Sequence, residues 1–190
     1  MKILVLDNYD SFTYNLVHYL KELSTAQVDV YRNDEISVEE VGKYDKILLS
    51  PGPGIPDEAG ILKPLIKRWG ESKSIFGVCL GCQAIAEVYG GSIYNLNKVY
   101  HGVATTMRIT DKEELLYQNV SEEFEAGRYH SWVVSKEDLP KEMHITSVDD
   151  KGAIMGIRHQ AHNVRGVQFH PESILTPEGK KMIKNWLENC

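Results

Sequence analysis

"SIFGVCLGCQAIAEVYGG", Ser74 to Gly91, is the stretch whose reading decides the fold. The run Ile75-Phe76-Gly77-Val78 is short and apolar, as a buried strand is. It stops at Cys79, where a helical pattern begins and runs to about Tyr89 before Gly90 and Gly91 end it. A strand that passes straight into a helix is half of a βαβ unit. Gly77-Val78-Cys79-Leu80-Gly81 has the form G-x-C-x-G, the thiol counterpart of the G-x-S-x-G nucleophile elbow. The chain must turn sharply there, so the flanking positions need residues without side chains that would clash. A cysteine so placed stands at the carboxyl edge of the sheet, where open α/β folds bind ligands. The start of the helix favours thiolate over thiol and aims free N–H groups, such as that of Leu80, at a developing oxyanion. A small buried cysteine ahead of a helix is the plain alternative, and the pentapeptide alone does not choose.

Working outward, Lys2–Leu6 and Lys46–Ser50 read as further buried strands, and Gln27–Arg32 alternates like one. Thr13–Leu23 reads as a helix with Leu16, Tyr19, Leu20 and Leu23 on one face. Ser37-Val38-Glu39-Glu40 fits a capping box for a short helix, and another helix is expected around Ile61–Trp69. Strands that alternate with helices imply a parallel sheet covered on both faces. The second half changes character. Val103–Ile109, Ser131–Ser135, His144–Val148, Ala153–His159 and Val164–Phe169 look like strands with short connections, an appended and partly antiparallel region. Pro177–Leu187 reads as a closing helix with Met182, Ile183, Trp186 and Leu187 turned inward.

A cysteine nucleophile needs a base, and usually a group that orients the base. "GVQFHPES", Gly166–Ser173, offers both. His170 ends a predicted strand, Pro171 keeps it extended, and Glu172 two residues on would then point to the same side and fix the imidazole tautomer. Taken alone, this is also what a solvated strand end looks like. Of the other histidines, His18 sits in a helix, and His101, His130, His144, His159 and His162 lack a strand-end context with a nearby glutamate. "SPGPG", Ser50–Gly54, follows another strand. Proline alternating with glycine stiffens a turn and leaves its backbone open, so the Gly54 N–H can face an oxyanion. Each motif alone is weak; three of them at three strand ends are not.

Composition bounds the rest. The 190 residues suggest one domain, 1–190, with 42% hydrophobic and 25% charged residues. A net charge of −6 and no Lys/Arg block argue against nucleic acid as partner. No apolar run approaches a membrane span, and the start of the chain is too short in apolar residues for a signal peptide. Three cysteines give no disulfide framework, so a reducing cytoplasm is the simplest compartment.

In combination, "GVCLGCQ", "HPES" and "SPGPG" resemble the triad-type (class I) glutamine amidotransferases. "LDNYDSFTYNLVHYL" (Leu6–Leu20) and "RYHS" (Arg128–Ser131) narrow the resemblance to the glutaminase components that serve anthranilate synthase and aminodeoxychorismate synthase. The likeness runs from Met1 to about Asn189. It implies an amidotransferase-like fold with a flavodoxin-like core. It also implies Cys79 as nucleophile, His170 as general acid and base, Glu172 as its orienting carboxylate, and the N–H groups of Gly54 and Leu80 as the oxyanion hole. Gly52, Pro53, Gly54, Gln83, Ser131 and Trp132 would bind L-glutamine, the last two mostly through backbone groups. The ammonia acceptor, chorismate, and its magnesium would sit on a separate larger subunit; no cofactor or metal is expected in this chain. Two positions depart from the pattern. Cys82 stands where histidine or methionine is common, and His101-Gly102-Val103 where His-Gly-Lys is.

Cys79-Leu80-Gly81-Cys82 at a helix start also describes a thiol–disulfide oxidoreductase. That reading uses both cysteines but leaves His170, Glu172 and the Pro-Gly loop idle. It also raises the expectation that the two thiols lie within disulfide range, so that Cys82 could resolve an oxidised Cys79. A zinc site would need a second ligand pair, which is absent. A non-catalytic module on the same fold, or a cysteine hydrolase of other amides, fits the elbow but not the whole set.

Overall fold

The apolar runs of the first half are too uniformly hydrophobic to face water, and the computed structural model, which describes residues 1–190, buries them on both sides. β1 (Lys2–Asp7), β2 (Gln27–Arg32), β3 (Lys46–Leu49) and β4 (Ser74–Val78) pair in parallel with β11 (Val164–Val167), in the order β2-β1-β3-β4-β11. This is the doubly wound order of a flavodoxin-like core. Alternate residues face opposite layers. Ile3, Val5, Leu48, Phe76 and Val78 pack with α1 (Thr13–Leu23) and α4 (Gly179–Asn189). Leu4, Leu6, Ile47, Leu49 and Ile75 pack with α2 (Leu62–Trp69) and α3 (Leu80–Val88). The helix faces follow the same demand. α4 buries Met182, Ile183, Trp186 and Leu187 as expected. α1 is rotated one step from the expected face: Thr13, Leu16, Val17 and Leu20 are buried, and Tyr19 and Leu23 lie at its rim.

The sheet then continues antiparallel from β11 through β10 (Ile154–His159), β9 (Met143–Asp149) and β6 (Val103–Ile109) to β7 (Glu123–Arg128). A small ribbon of β5 (Ile93–Asn95) and β8 (Trp132–Val134) stands apart from it. Because all the parallel strands run the same way, the segments after β1, β3, β4 and β11 emerge at one edge. Those segments are "NYDSF", "SPGPG", Cys79 and "QFHPES".

Candidate active site

Register decides what meets at that edge. Val78 pairs with Val167, and the Cys79 N–H extends the ladder to the Val167 carbonyl at 2.8 Å. Cys79 and Gln168 therefore leave the sheet side by side. Cys79 has φ 52° and ψ −101°, a conformation that costs a residue with a Cβ about 1–3 kcal/mol. Its surroundings hold it there. The Gln83 N–H donates to the Cys79 carbonyl at 3.1 Å. The two flanking glycines let α3 sit against the sheet: a Cβ on Gly77 would lie 2.5 Å from the Gly81 carbonyl carbon, and one on Gly81 would lie 2.7 Å from the Leu49 carbonyl oxygen. Both positions are thus closed to a side chain by backbone atoms, which cannot swing aside.

His170 lies in the same corner, 2% exposed, with its Nδ1 2.7 Å from Glu172 Oε1. Phe12 and Tyr129 cover the ring at centroid distances of 5.5 and 4.8 Å. The His170 N–H donates to the Gly127 carbonyl, and Thr176 Oγ1 donates to the His170 carbonyl at 2.6 Å, so the residue is clamped from both sides. The expected pair forms, but by a different route. β11 ends at Val167, not Phe169, and the Ser173 N–H closes on the His170 carbonyl at 3.2 Å. His170 to Ser173 is a turn, and Glu172 folds back onto the ring instead of meeting it by strand alternation. Burial pulls the imidazole toward its neutral form. The Cys79 thiol and the Glu172 carboxylate act against that more strongly, and the net effect raises its pKa to about 10. His170 Nε2 makes no hydrogen bond of its own, although it is fully buried.

The loop after β3 is fixed by Asn8, the first residue after β1. The Asn8 N–H donates to Ser50 Oγ, Asn8 Nδ2 donates to the Ser50 carbonyl, both at 2.8 Å, and Asn33 Nδ2 donates to Asn8 Oδ1 at 3.0 Å. Gly52 rests against Asn8 and Leu80. Pro53 and Gly54 are exposed, and Gly54 takes φ +72°, which few other residues tolerate. The Gly54 N–H has no acceptor in the chain, and the Leu80 N–H, at the first residue of α3, has no preceding helical carbonyl to bond.

Gln83, on the first turn of α3, uses its Nε2 twice, on the Trp132 carbonyl and on Gln168 Oε1, both at 3.0 Å. Ser131 and Trp132 are half-buried beside it. Their carbonyls are already engaged: Ser131 accepts from the Leu96 N–H, and Trp132 accepts from Gln83 and from His130 Nδ1 at 2.8 Å. Two residues absent from the sequence-based set thus belong to the site. Gln168, completely buried, puts Nε2 3.4 Å from Cys79 Sγ. His130 is buried with both ring nitrogens committed, because Arg128 Nε donates to its Nε2 at 3.1 Å. Burial first, and then the Arg128 cation, hold its pKa down at about 3. Arg128 is itself paired with Asp149 at 2.8 Å and lies under the Tyr100 ring at 3.6 Å. Its far side floors a cavity of about 670 Å³ between Tyr94, Tyr100 and Lys151, which none of the expected site residues lines. Strand pairing is the signal that would have found Gln168, since the residue after Val167 must neighbour the residue after Val78.

The two cysteines of the C-x-x-C belong to different core clusters. Cys79 packs with the α1/α4 layer and Cys82 with the α2/α3 layer. Cys82 Sγ fills the space over Gly166, and burial holds its thiol far above the ordinary range. All three cysteines are free, and no group of three or more His, Cys, Asp or Glu is placed to hold a metal ion.

The model of the family "Glutamine amidotransferase class-I" matches residues 4–190. The chain is 45% identical over 188 residues to the aminodeoxychorismate/anthranilate synthase component 2 of Bacillus subtilis, covering 98% of this chain and 95% of that one. It is 44% identical to anthranilate synthase component 2 of Pseudomonas aeruginosa, covering 97% and 94%. It is 43% identical to the bifunctional protein TrpGD of Thermotoga maritima, of which it spans only 32%. Among solved structures, a candidate GMP synthase subunit from Thermoplasma acidophilum superposes with a TM-score of 0.87 at 25% identity, covering 98% of this chain and 92% of that one.

Proposed function

This chain belongs to the class I glutamine amidotransferases, and from that premise we propose that it hydrolyses L-glutamine through a thioester on Cys79 and passes the ammonia to a separate chorismate-binding synthase subunit. The observation that carries the reading is the buried His170, bonded through Nδ1 to Glu172, with its second nitrogen unpartnered beside a cysteine in elbow conformation. A buried ring nitrogen left free beside a thiol is placed to shuttle a proton.

The steps follow from that geometry. His170 Nε2 carries the proton given up by Cys79, and Sγ attacks the carboxamide carbon of glutamine. The carbonyl electrons move onto oxygen, which faces the N–H groups of Gly54 and Leu80. The imidazolium returns its proton to the amide nitrogen, the C–N bond breaks and ammonia leaves. His170 then takes a proton from water as the water attacks the thioester. The C–S bond breaks, glutamate departs and the sulfur is restored. Loss of one oxyanion donor raises the barrier by roughly 3 kcal/mol. Gln83, with both N–H groups used internally, presents its carbonyl oxygen to the substrate, and Gly52, Pro53, Ser131 and Trp132 supply backbone contacts.

The names borne by the relatives, anthranilate synthase above all, support anthranilate synthesis as the acceptor reaction. The same glutaminase chemistry would serve aminodeoxychorismate synthesis, which the Bacillus relative's name includes. Magnesium belongs with the chorismate subunit in this reading. Three free thiols support a reducing compartment such as the cytoplasm, and no helix is long and apolar enough to cross a membrane. The test is Cys79→Ser: glutamine-dependent synthesis by the complex is expected to vanish while synthesis from added ammonium salt continues. Normal glutamate release by that variant would refute the assignment.

A further inference from the structure

The buried polar groups behind the site form one chain that meets at the Trp132 carbonyl, an obligate acceptor for both His130 and Gln83. Arg128 can only donate, so His130 Nε2 accepts from it. A neutral His130 then carries its hydrogen on Nδ1 and donates to the Trp132 carbonyl. That carbonyl can only accept, so the end of Gln83 that touches it is the amino end. The same Nε2 reaches Gln168, which must answer with Oε1. Gln168 therefore has one orientation left, and it turns an N–H toward Cys79 Sγ at 3.4 Å. Nothing about Gln168 is adaptable: it is completely buried, and its backbone N–H is held by the Met155 carbonyl at 2.9 Å.

We propose that Gln168 is a catalytic residue of this reaction: its side-chain amide holds an N–H on the nucleophilic sulfur, in an orientation dictated by the Trp132 carbonyl through Gln83. An N–H donor on sulfur is worth most when the sulfur is anionic. It therefore favours the thiolate that attacks the carboxamide and the thiolate that leaves when the thioester is hydrolysed. His170 approaches the sulfur as proton carrier, and Gln168 holds it without exchanging a proton. The same amide also fixes Gln83, so the residue that steadies the nucleophile also orients a substrate contact.

The inference rests on Cys79 being the nucleophile, and the experiment separates the two. Gln168→Met keeps the length of the side chain and removes the donor. Gln168→Glu keeps the shape and replaces the donor with a carboxylate. Alkylation of Cys79 by iodoacetamide is followed against pH by peptide mass spectrometry on the full chain. The same preparations give kcat and KM for glutamine, and thermal melting reports folding. The alkylation midpoint of Gln168→Met is expected to rise by about one pH unit, a tenfold slower reaction at acid pH. Its kcat is expected to fall at least about tenfold, with a smaller change in KM, and the midpoint of Gln168→Glu is expected to rise further. A role in packing alone would lower the melting temperature and leave the midpoint in place. If either folded variant has the parent's alkylation midpoint and a kcat within twofold of it, the proposal is wrong. If Gln168→Met does not fold, Gln168→Glu decides alone. An active Cys79→Ser would overturn the nucleophile itself; an inactive one beside unshifted Gln168 variants would overturn only the role of Gln168.

Discussion

Two buried histidines behind one site are shifted in opposite directions, and the cause is which groups each one faces. His170 faces a thiol and a carboxylate, and they outweigh burial, so its pKa is raised to about 10. His130 faces Arg128, which adds to burial, and its pKa falls to about 3. Glu172 is the second partner raising His170, after Cys79. Replacing it with glutamine keeps a hydrogen-bond acceptor and removes the charge. In Glu172→Gln, the His170 titration midpoint seen by NMR is expected to fall below the parent's, and glutaminase activity to fall less than in His170→Ala; an unchanged midpoint would show that Glu172 acts only by shape. For His130 the sign runs the other way. Its folded pKa lies below the unfolded value of about 6.5, so its contribution to stability is complete above that pH. The contribution is lost as pH falls from 6.5 toward 3, at up to about 1.4 kcal/mol per pH unit. The parent is therefore expected to lose stability between pH 6 and 4 more steeply than His130→Asn in urea unfolding. Parallel slopes would mean that His130 is protonated in the folded protein.

At the level of elements, the elbow was legible because its requirements are local. A strand, a positive-φ cysteine and a helix need glycine on both sides wherever backbone passes close, and the sequence supplies it. Gly81→Ala is the direct check. Its Cβ would press on the Leu49 carbonyl, which belongs to a central strand and cannot yield. The expected loss is about 1–3 kcal/mol in stability, as for overpacked cores, with a larger fractional loss of glutaminase activity because α3 and the Leu80 N–H move together. Wild-type stability in this variant would show that β3 and α3 have slack. Less local features were harder to read. The Ser37–Glu40 capping box forms reciprocally, with Glu40 Oε2 accepting from the Ser37 N–H at 3.0 Å and Ser37 Oγ accepting from the Glu40 N–H at 3.3 Å. It opens only a 3₁₀ turn, Glu40–Lys43, because Gly42 and Tyr44 give no run of helix formers to extend. β7, "EFEAGR", gives little strand signal because its inward residues are Phe124, Ala126 and Arg128, an alternation that hides a buried cation among apolar positions. β5 has only three residues, all partly exposed. Gln168 was invisible for a different reason: its role exists only once β4 and β11 are paired in register.

Across the whole molecule, the site is a seam between two architectures. The parallel half brings Cys79, the N–H groups of Gly54 and Leu80 and, through β11, His170 to one edge. The antiparallel half backs that edge with Arg128, His130 and Trp132. The seam is nearly shut in the isolated chain, with Cys79 only 6% exposed and Gln83 only 3%. Two apolar side chains are exposed on this side of the chain: Ile174, two residues after Glu172, is 94% exposed, and Val103, paired with Arg128, is 42% exposed. An isoleucine held out in water so close to the His170–Glu172 pair is what a partner surface would cover. If the chorismate-binding subunit docks there, it can adjust the turn that carries His170 and Glu172, since Ser173, Leu175 and Thr176 are hydrogen-bonded into it. Glutamine hydrolysis by the chain alone is then expected to be weak. Adding the partner should raise it at least about tenfold, close to 1.4 kcal/mol of barrier. Ile174→Asp touches neither the triad nor the substrate contacts, so it should leave the unstimulated rate intact while removing most of the rise and weakening the complex in sedimentation. Equal glutamate release with and without partner would show that the site needs no help. Full stimulation of Ile174→Asp would place the docking surface elsewhere on the molecule.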